Sequence, residues 1–130
     1  MNSLDRKKRH RIAIGVVFLV VLVVLGMAGV AAAQTAEEGM ANFYNDNFQG
    51  KKTASGEPYD KNGLTAAHKK LAYGTKVKVT NVANGKSVVV TVNDRLGASS
   101  PAVIDVTRRA AEELDFVKSG RTTVKLEVVK

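Results

Sequence analysis

Between residues 75 and 128, apolar and polar positions alternate with a period of two in three separate runs. That is the pattern of strands with one face buried. The longest run is Ser87–Arg95. Val88, Val90 and Val92 fall on one face, Ser87, Val89 and Thr91 on the other, and the run ends in Asn93-Asp94-Arg95. Thr75–Val82 turns Val77 and Val79 inward and Lys76 and Lys78 outward, and Thr122–Val128 alternates in the same way. Ala83-Asn84-Gly85-Lys86 joins the first two runs and predicts a hairpin, because Asn and Gly both accept positive φ. Gly39–Tyr44, Leu64–His68 and Val103–Val106 predict three shorter strands. One segment has a helical period. After Thr107, a capping residue, Ala110, Ala111 and Leu114 share one face of Arg108–Leu114.

Five or six short strands with one helix predict a mainly β domain. An open sheet would leave the valine face without cover on one side, so a small closed barrel is expected. Two segments lack any period. Asn45–Asp60 is rich in Gly, Asn, Lys and Ser, and Leu96–Pro101 is a shorter stretch of small residues. A long ordered loop of the first kind is usually functional.

The first 33 residues read differently. Basic residues at 6–11 precede an apolar run of 19 residues, Ile12–Val30, and then Ala31-Ala32-Ala33. This is the order of a signal peptide or an uncleaved membrane anchor. With positive charge before the apolar run, either reading exports the rest of the chain. The expected organisation is therefore a signal or anchor helix at 1–33, a linker at 34–38 and one domain at 39–130.

Charge changes the picture little. Of 20 basic and 12 acidic residues, five and one lie in 1–33, so the formal +8 of the chain falls to +4 beyond it. A mildly basic domain suits an anionic polymer such as a wall glycan. Nucleic acid is not expected as a partner, because no basic run is interleaved with aromatics. The chain has no Cys and only two His, with His10 in the first 33 residues. That excludes a disulfide framework, lipid attachment at a Cys and a multi-histidine metal site; no metal and no cofactor are expected.

The strand tip supplies the candidate chemistry. Asp94 is a carboxylate at the end of a stiff element, either a catalytic group or a turn cap paired with Arg95. Glu57 in the long loop is either a solvated charge or a second carboxylate. His68 is either a buried histidine bonded to backbone or a donor to Asp94 or a sugar. Asp105, between Ile104 and Val106, is expected to bond backbone amides or the helix start. Phe43, Tyr44, Phe48 and Tyr59 bracket the proposed cleft, either as packing or as stacking surfaces.

Five blocks in order carry a family resemblance: Thr53–Tyr59, Leu64–His68, Val77–Asn81, Val90–Arg95 and Val103–Val106. They resemble the rare-lipoprotein-A (RlpA-like) domain over roughly Gly39 to Lys130. The resemblance implies a six-stranded double-psi β-barrel and lytic transglycosylase activity on peptidoglycan strands stripped of stem peptides. It places Asp94, Glu57 and His68 at catalytic positions, with Tyr44, Thr65, Asn93 and Arg95 expected to contact the glycan. In such a reaction one carboxyl can protonate the departing oxygen and then accept the proton of the sugar's own 6-hydroxyl. Asp94 is the expected group. Its pKa must then be raised, by burial against the valine face or by a nearby carboxylate. Where the family often has Gly-Pro after Asn-Asp-Arg, this chain has Leu96-Gly97. The expected protein is an exported monomer in the periplasm or at the cell wall, touching membrane only through an uncleaved N-terminal segment. The competing reading is an expansin-like barrel that binds glycan without turnover.

Overall fold

The computed structural model describes residues 36–130. The signal or anchor expected over 1–33 lies outside them. Six strands run in the order β1 (Ala36–Phe43), β2 (Thr65–His68), β3 (Lys76–Asn81), β4 (Ser87–Arg95), β5 (Ile104–Val106) and β6 (Arg121–Val128). A 3₁₀ turn at Asp46–Phe48 follows β1, and helix α1 (Arg108–Leu114) follows β5. The strands close into a barrel in the order β1-β5-β2-β4-β3-β6. β1 with β5 and β2 with β4 are parallel; the other neighbours are antiparallel. Closure leaves no unpaired edge.

The period-two faces meet inside. Val77, Val79, Val88, Val90, Val92, Ile104, Val106, Val124 and Leu126 are buried in one aliphatic core. Each such side chain stabilises the fold by about 1.5–3 kcal/mol relative to exposure. Helix α1 lays Ala110, Ala111 and Leu114 on this core. Thr107 caps it, with Oγ1 accepting from Ala110 N at 3.3 Å. Its C-terminus ends at Asp115 in the left-handed region, φ 60°. There the Asn81 and Asn84 amides donate to the Leu114 carbonyl at 2.8 and 3.1 Å.

Two boundaries differ from the sequence pattern. β1 begins at Ala36, inside the expected linker, and Ala36, Glu37 and Glu38 pair with Glu127, Leu126 and Lys125 of β6. The charged side chains of Glu37 and Glu38 hide the strand from a hydrophobic pattern, but the ladder needs only the backbone. The β3–β4 hairpin is not a tight Asn-Gly pair either. Gly85 alone has positive φ (78°), and its N–H donates to Asn81 O at 2.7 Å.

A bulge in the β2–β4 pair positions the site. Ala66 pairs with Val92, but Ala67 pairs with Asp94, so Asn93 is an extra residue on β4. Ala66 and Val92 face the core. Strict alternation would send Asp94 to the face of Val92. The inserted residue turns it to the outer face with Ala67.

Candidate active site

Asp94 is held by three donors from three directions. Its Oδ1 accepts from Ala54 N at 2.8 Å and from Arg95 N at 2.9 Å, and its Oδ2 accepts from the Tyr44 hydroxyl at 2.6 Å. The Ala54 donor comes from the long loop, which is ordered. Lys52 bridges Pro58, Gly50 N donates to Tyr59 O, and both the N–H and the Oγ1 of Thr53 donate to Glu57 O. Tyr44 follows β1 and is stacked on Tyr59, with ring centroids 4.3 Å apart and an interplanar angle of 22°. Tyr59 is buried, and its hydroxyl accepts from Arg108 N at the start of α1. Burial foremost, then the hydrogen bond to Asp94 and its charge, push the Tyr44 hydroxyl far above the usual phenol range. It therefore stays a donor to Asp94.

The second carboxylate is Asp105. Ala67 is its antiparallel register partner on β5, as it is the parallel partner of Asp94 on β4. Directly paired residues share a face, so both carboxylates flank the Ala67 methyl on the face of the sheet away from the barrel core, where Ala67 is buried with Leu96 and Ala102, with Cα atoms roughly 10 Å apart across two strand spacings. The expected role of Asp105 is corrected by this geometry. Thr107 and Tyr59 serve the helix start, while Asp105 Oδ1 is buried with no hydrogen-bond partner among the described residues. Burial first, and the charge of Asp94 second, raise its pKa above the usual carboxylate value. Its proton is thus retained to higher pH than that of an ordinary carboxyl. The only sequence signal for it was a carboxylate between two core residues, Ile104 and Val106.

The other expected residues divide. Asn93 is buried by the bulge, and its Nδ2 donates to Glu57 Oε1 at 3.1 Å. Glu57 thereby joins the site at the Asn93 end, with no hydrogen bond to Asp94 among the described residues. Thr65 lies on the outer face of β2, two residues before Ala67, paired with Thr91. Arg95 turns away from Asp94 and donates to the carbonyls of His68 and Leu71.

His68 is not brought to Asp94. It pairs with Ile104, whose side chain is in the core, so it points to the opposite face. Its Nδ1 accepts from the Lys70 and Leu71 amides at 3.0 and 3.1 Å, and its Nε2 lies 2.9 Å from Glu37 Oε1. Two donors at Nδ1 assign the ring proton to Nε2. Leu96, at the departure from Gly-Pro, packs on Ala67 and Ala102, and its N–H donates to His68 O.

Residues 36–126 match the family described as lytic transglycolase. The chain belongs to this RlpA-like family. A Neisseria meningitidis protein named endolytic peptidoglycan transglycosylase RlpA is 46% identical over 97 residues, covering 75% of this chain and 41% of that protein. A Campylobacter jejuni protein of the same name is 46% identical over 99 residues, covering 76% of this chain and 36% of its own length. The chain thus spans less than half the length of these curated relatives. Among solved structures, a Clavibacter michiganensis expansin superposes with a TM-score of 0.58 at 22% identity, covering 73% of this chain and 50% of that one. That likeness speaks to the barrel. In this RlpA-like chain the candidate site is Asp94, walled by Tyr44 and the 53–57 loop, with Asp105 on the same face across the buried Ala67.

Proposed function

We propose that the chain is an exported lytic transglycosylase that cleaves peptide-free peptidoglycan strands and leaves 1,6-anhydro-muramic ends. The observation that carries the reading is the pair of unlike carboxylates on one face. Asp94 has both oxygens occupied by donors, and Asp105 has an unpartnered oxygen and a raised pKa. The names of the relatives support the substrate class. The basic and apolar order of residues 1–33 supports export. Closure of the barrel supports a monomer, and its two parallel pairs support the double-psi form.

Unlike carboxylates divide the labour that sequence reasoning gave to Asp94 alone. Asp105 gives its proton to the bridging oxygen as the bond from that oxygen to C1 breaks. Asp94, held as an acceptor, faces the positive charge developing at C1. The 6-hydroxyl of the same sugar then bonds to C1 and returns its proton to Asp105. No water is consumed. Tyr44 positions Asp94, and Glu57 with Asn93 orients the sugar at one end. His68 acts from behind, by holding the turn that carries the acceptors of Arg95.

The test is to incubate the full chain with peptide-free strands and read the fragments by mass spectrometry. Anhydro-muramic ends that vanish in both Asp94→Asn and Asp105→Asn are expected. Reducing ends from hydrolysis reject the transglycosylase mechanism in favour of a glycosidase. Binding with no new ends rejects turnover and leaves an expansin-like binder.

A further inference from the structure

Arg95 follows Asp94 on β4, and its guanidinium is fixed without being neutralised. Nη1 donates to His68 O at 3.0 Å and to Leu71 O at 2.8 Å, and the group lies 4.5 Å from the centroid of the Tyr73 ring. Among the described residues its side-chain hydrogen bonds run through Nη1 alone, and no carboxylate pairs with it. Arg95 is exposed, and Tyr73 keeps 44% of its surface open. Tyr73 also walls a pocket of about 320 Å³, with Ser55, Glu57, Gly74, Thr91 and Asn93. Glu57 is the acidic residue of the pocket lining, and the guanidinium of Arg95 lies against the ring of Tyr73, the residue it shares with the pocket.

We propose that Arg95 is an anion subsite that takes the free lactyl carboxylate of a muramic acid residue seated against Tyr73. The proposal rests on the transglycosylase reading and names what that site selects. A held guanidinium with open N–H groups matches a carboxylate in shape and charge. In a strand that still bears stem peptides, the same carboxyl is an amide, without charge and with a chain attached. Arg95 thus sets a preference for stripped strands.

The experiment compares two substrates with the full chain: a peptide-free strand, and the same strand with its lactyl carboxyls converted to primary amides. Wild type is expected to favour the acid by about tenfold or more in kcat/KM, the size of a charge-assisted hydrogen bond. In Arg95→Gln the ratio falls toward one. Arg95→Lys keeps charge but loses the fork, and it retains part of the preference. High salt lowers the ratio in wild type and not in Arg95→Gln. A wild-type ratio near one, or an Arg95→Gln ratio equal to wild type, overturns the proposal. If wild type cleaves neither strand, the transglycosylase reading has failed. Calorimetric binding of the two strands to wild type and Arg95→Gln then decides the subsite by the same ratio. Thermal unfolding is followed for each variant, and Arg95→Lys carries the comparison if Arg95→Gln does not fold.

Discussion

Asp105 and Asp94 face the same side of the barrel from strands that do not touch, because β2 lies between them and Ala67 is the register partner of both. The intervening side chain is the Ala67 methyl, buried with Leu96 and Ala102, while Asp105 keeps part of its own surface open. Asp105→Asn keeps the shape and removes the transferable proton. Its kcat is expected to fall by about 10²–10⁴-fold, the range of a general acid. Its melting temperature should hold or rise at neutral pH, since a partly buried group that can ionise is replaced by one that carries no charge. Glycan cleavage assays with thermal unfolding check both, and a kcat within a few-fold of wild type would remove Asp105 from the reaction.

The raised pKa of Asp105 gives the pH dependence a sign. The folded state holds this proton more tightly than the unfolded chain does. Its contribution to stability is full below the ordinary carboxylate value and is lost as pH rises through the raised one. Wild type should therefore lose stability over that window relative to Asp105→Asn. Asp94 is the second cause of the shift. Asp94→Asn should lower the Asp105 titration, followed by carboxyl carbon NMR. An unmoved titration would mean that the two groups are not coupled.

The strands were legible because each buries one face, and Val88, Val90 and Val92 announce that face without help from the rest of the chain. Helix α1 was legible through Thr107 and the Ala110, Ala111, Leu114 spacing. What the pattern could not carry was anything decided by a partner strand. Ala36–Glu38 look like linker because their place in β1 depends on backbone groups of β6. The bulge at Asn93 is set by the pairing with β2, so the outward turn of Asp94 is invisible along β4 alone. The same blindness hid Asp105, whose meaning comes from Ala67. It also left His68 open, because the amides of Lys70 and Leu71 that claim its Nδ1 are only positioned once the turn closes.

The ring of Tyr44 is stacked on Tyr59, and its hydroxyl is spent on Asp94. Tyr44→Phe preserves the ring against Tyr59 and deletes one of three donors. A hydrogen bond to a charged group contributes about 1.5–3 kcal/mol. The expected loss in kcat is about tenfold or more, with KM little changed, because Asp94 is still held by Ala54 N and Arg95 N. Steady-state kinetics check this. A rise in KM at constant kcat would make Tyr44 a binding group instead.

His68→Ala should act first on stability. It removes the acceptor of two part-buried hydrogen bonds from the Lys70 and Leu71 amides, at about 0.5–1.5 kcal/mol each. Denaturant unfolding should show the loss directly. The turn also supplies the Leu71 carbonyl to Arg95, so discrimination between charged and amidated strands should weaken in parallel. A variant of wild-type stability that has lost kcat would point to a direct chemical role for the ring.

Gly39 shows how tightly the second carboxylate is framed. It lies in β1 opposite Val124, and a Cβ there would overlap the Val103 side chain, whose N–H donates to Met40 O at 2.8 Å. Val103 leads directly into β5, two residues before Asp105. Gly39→Ala must therefore push Val103 aside or displace the start of β5. Overpacking of this kind costs about 1–3 kcal/mol. Trimming the obstacle should relieve it, so Gly39→Ala with Val103→Ala should be less destabilised than the two single losses added together. A double-mutant cycle by denaturant unfolding measures that coupling, expected at about 0.5–3 kcal/mol. Cleavage by Gly39→Ala should fall as Asp105 shifts and recover in the double variant. Strictly additive losses would show that the two side chains do not compete for the same space, and that β5 is placed by its ladder alone.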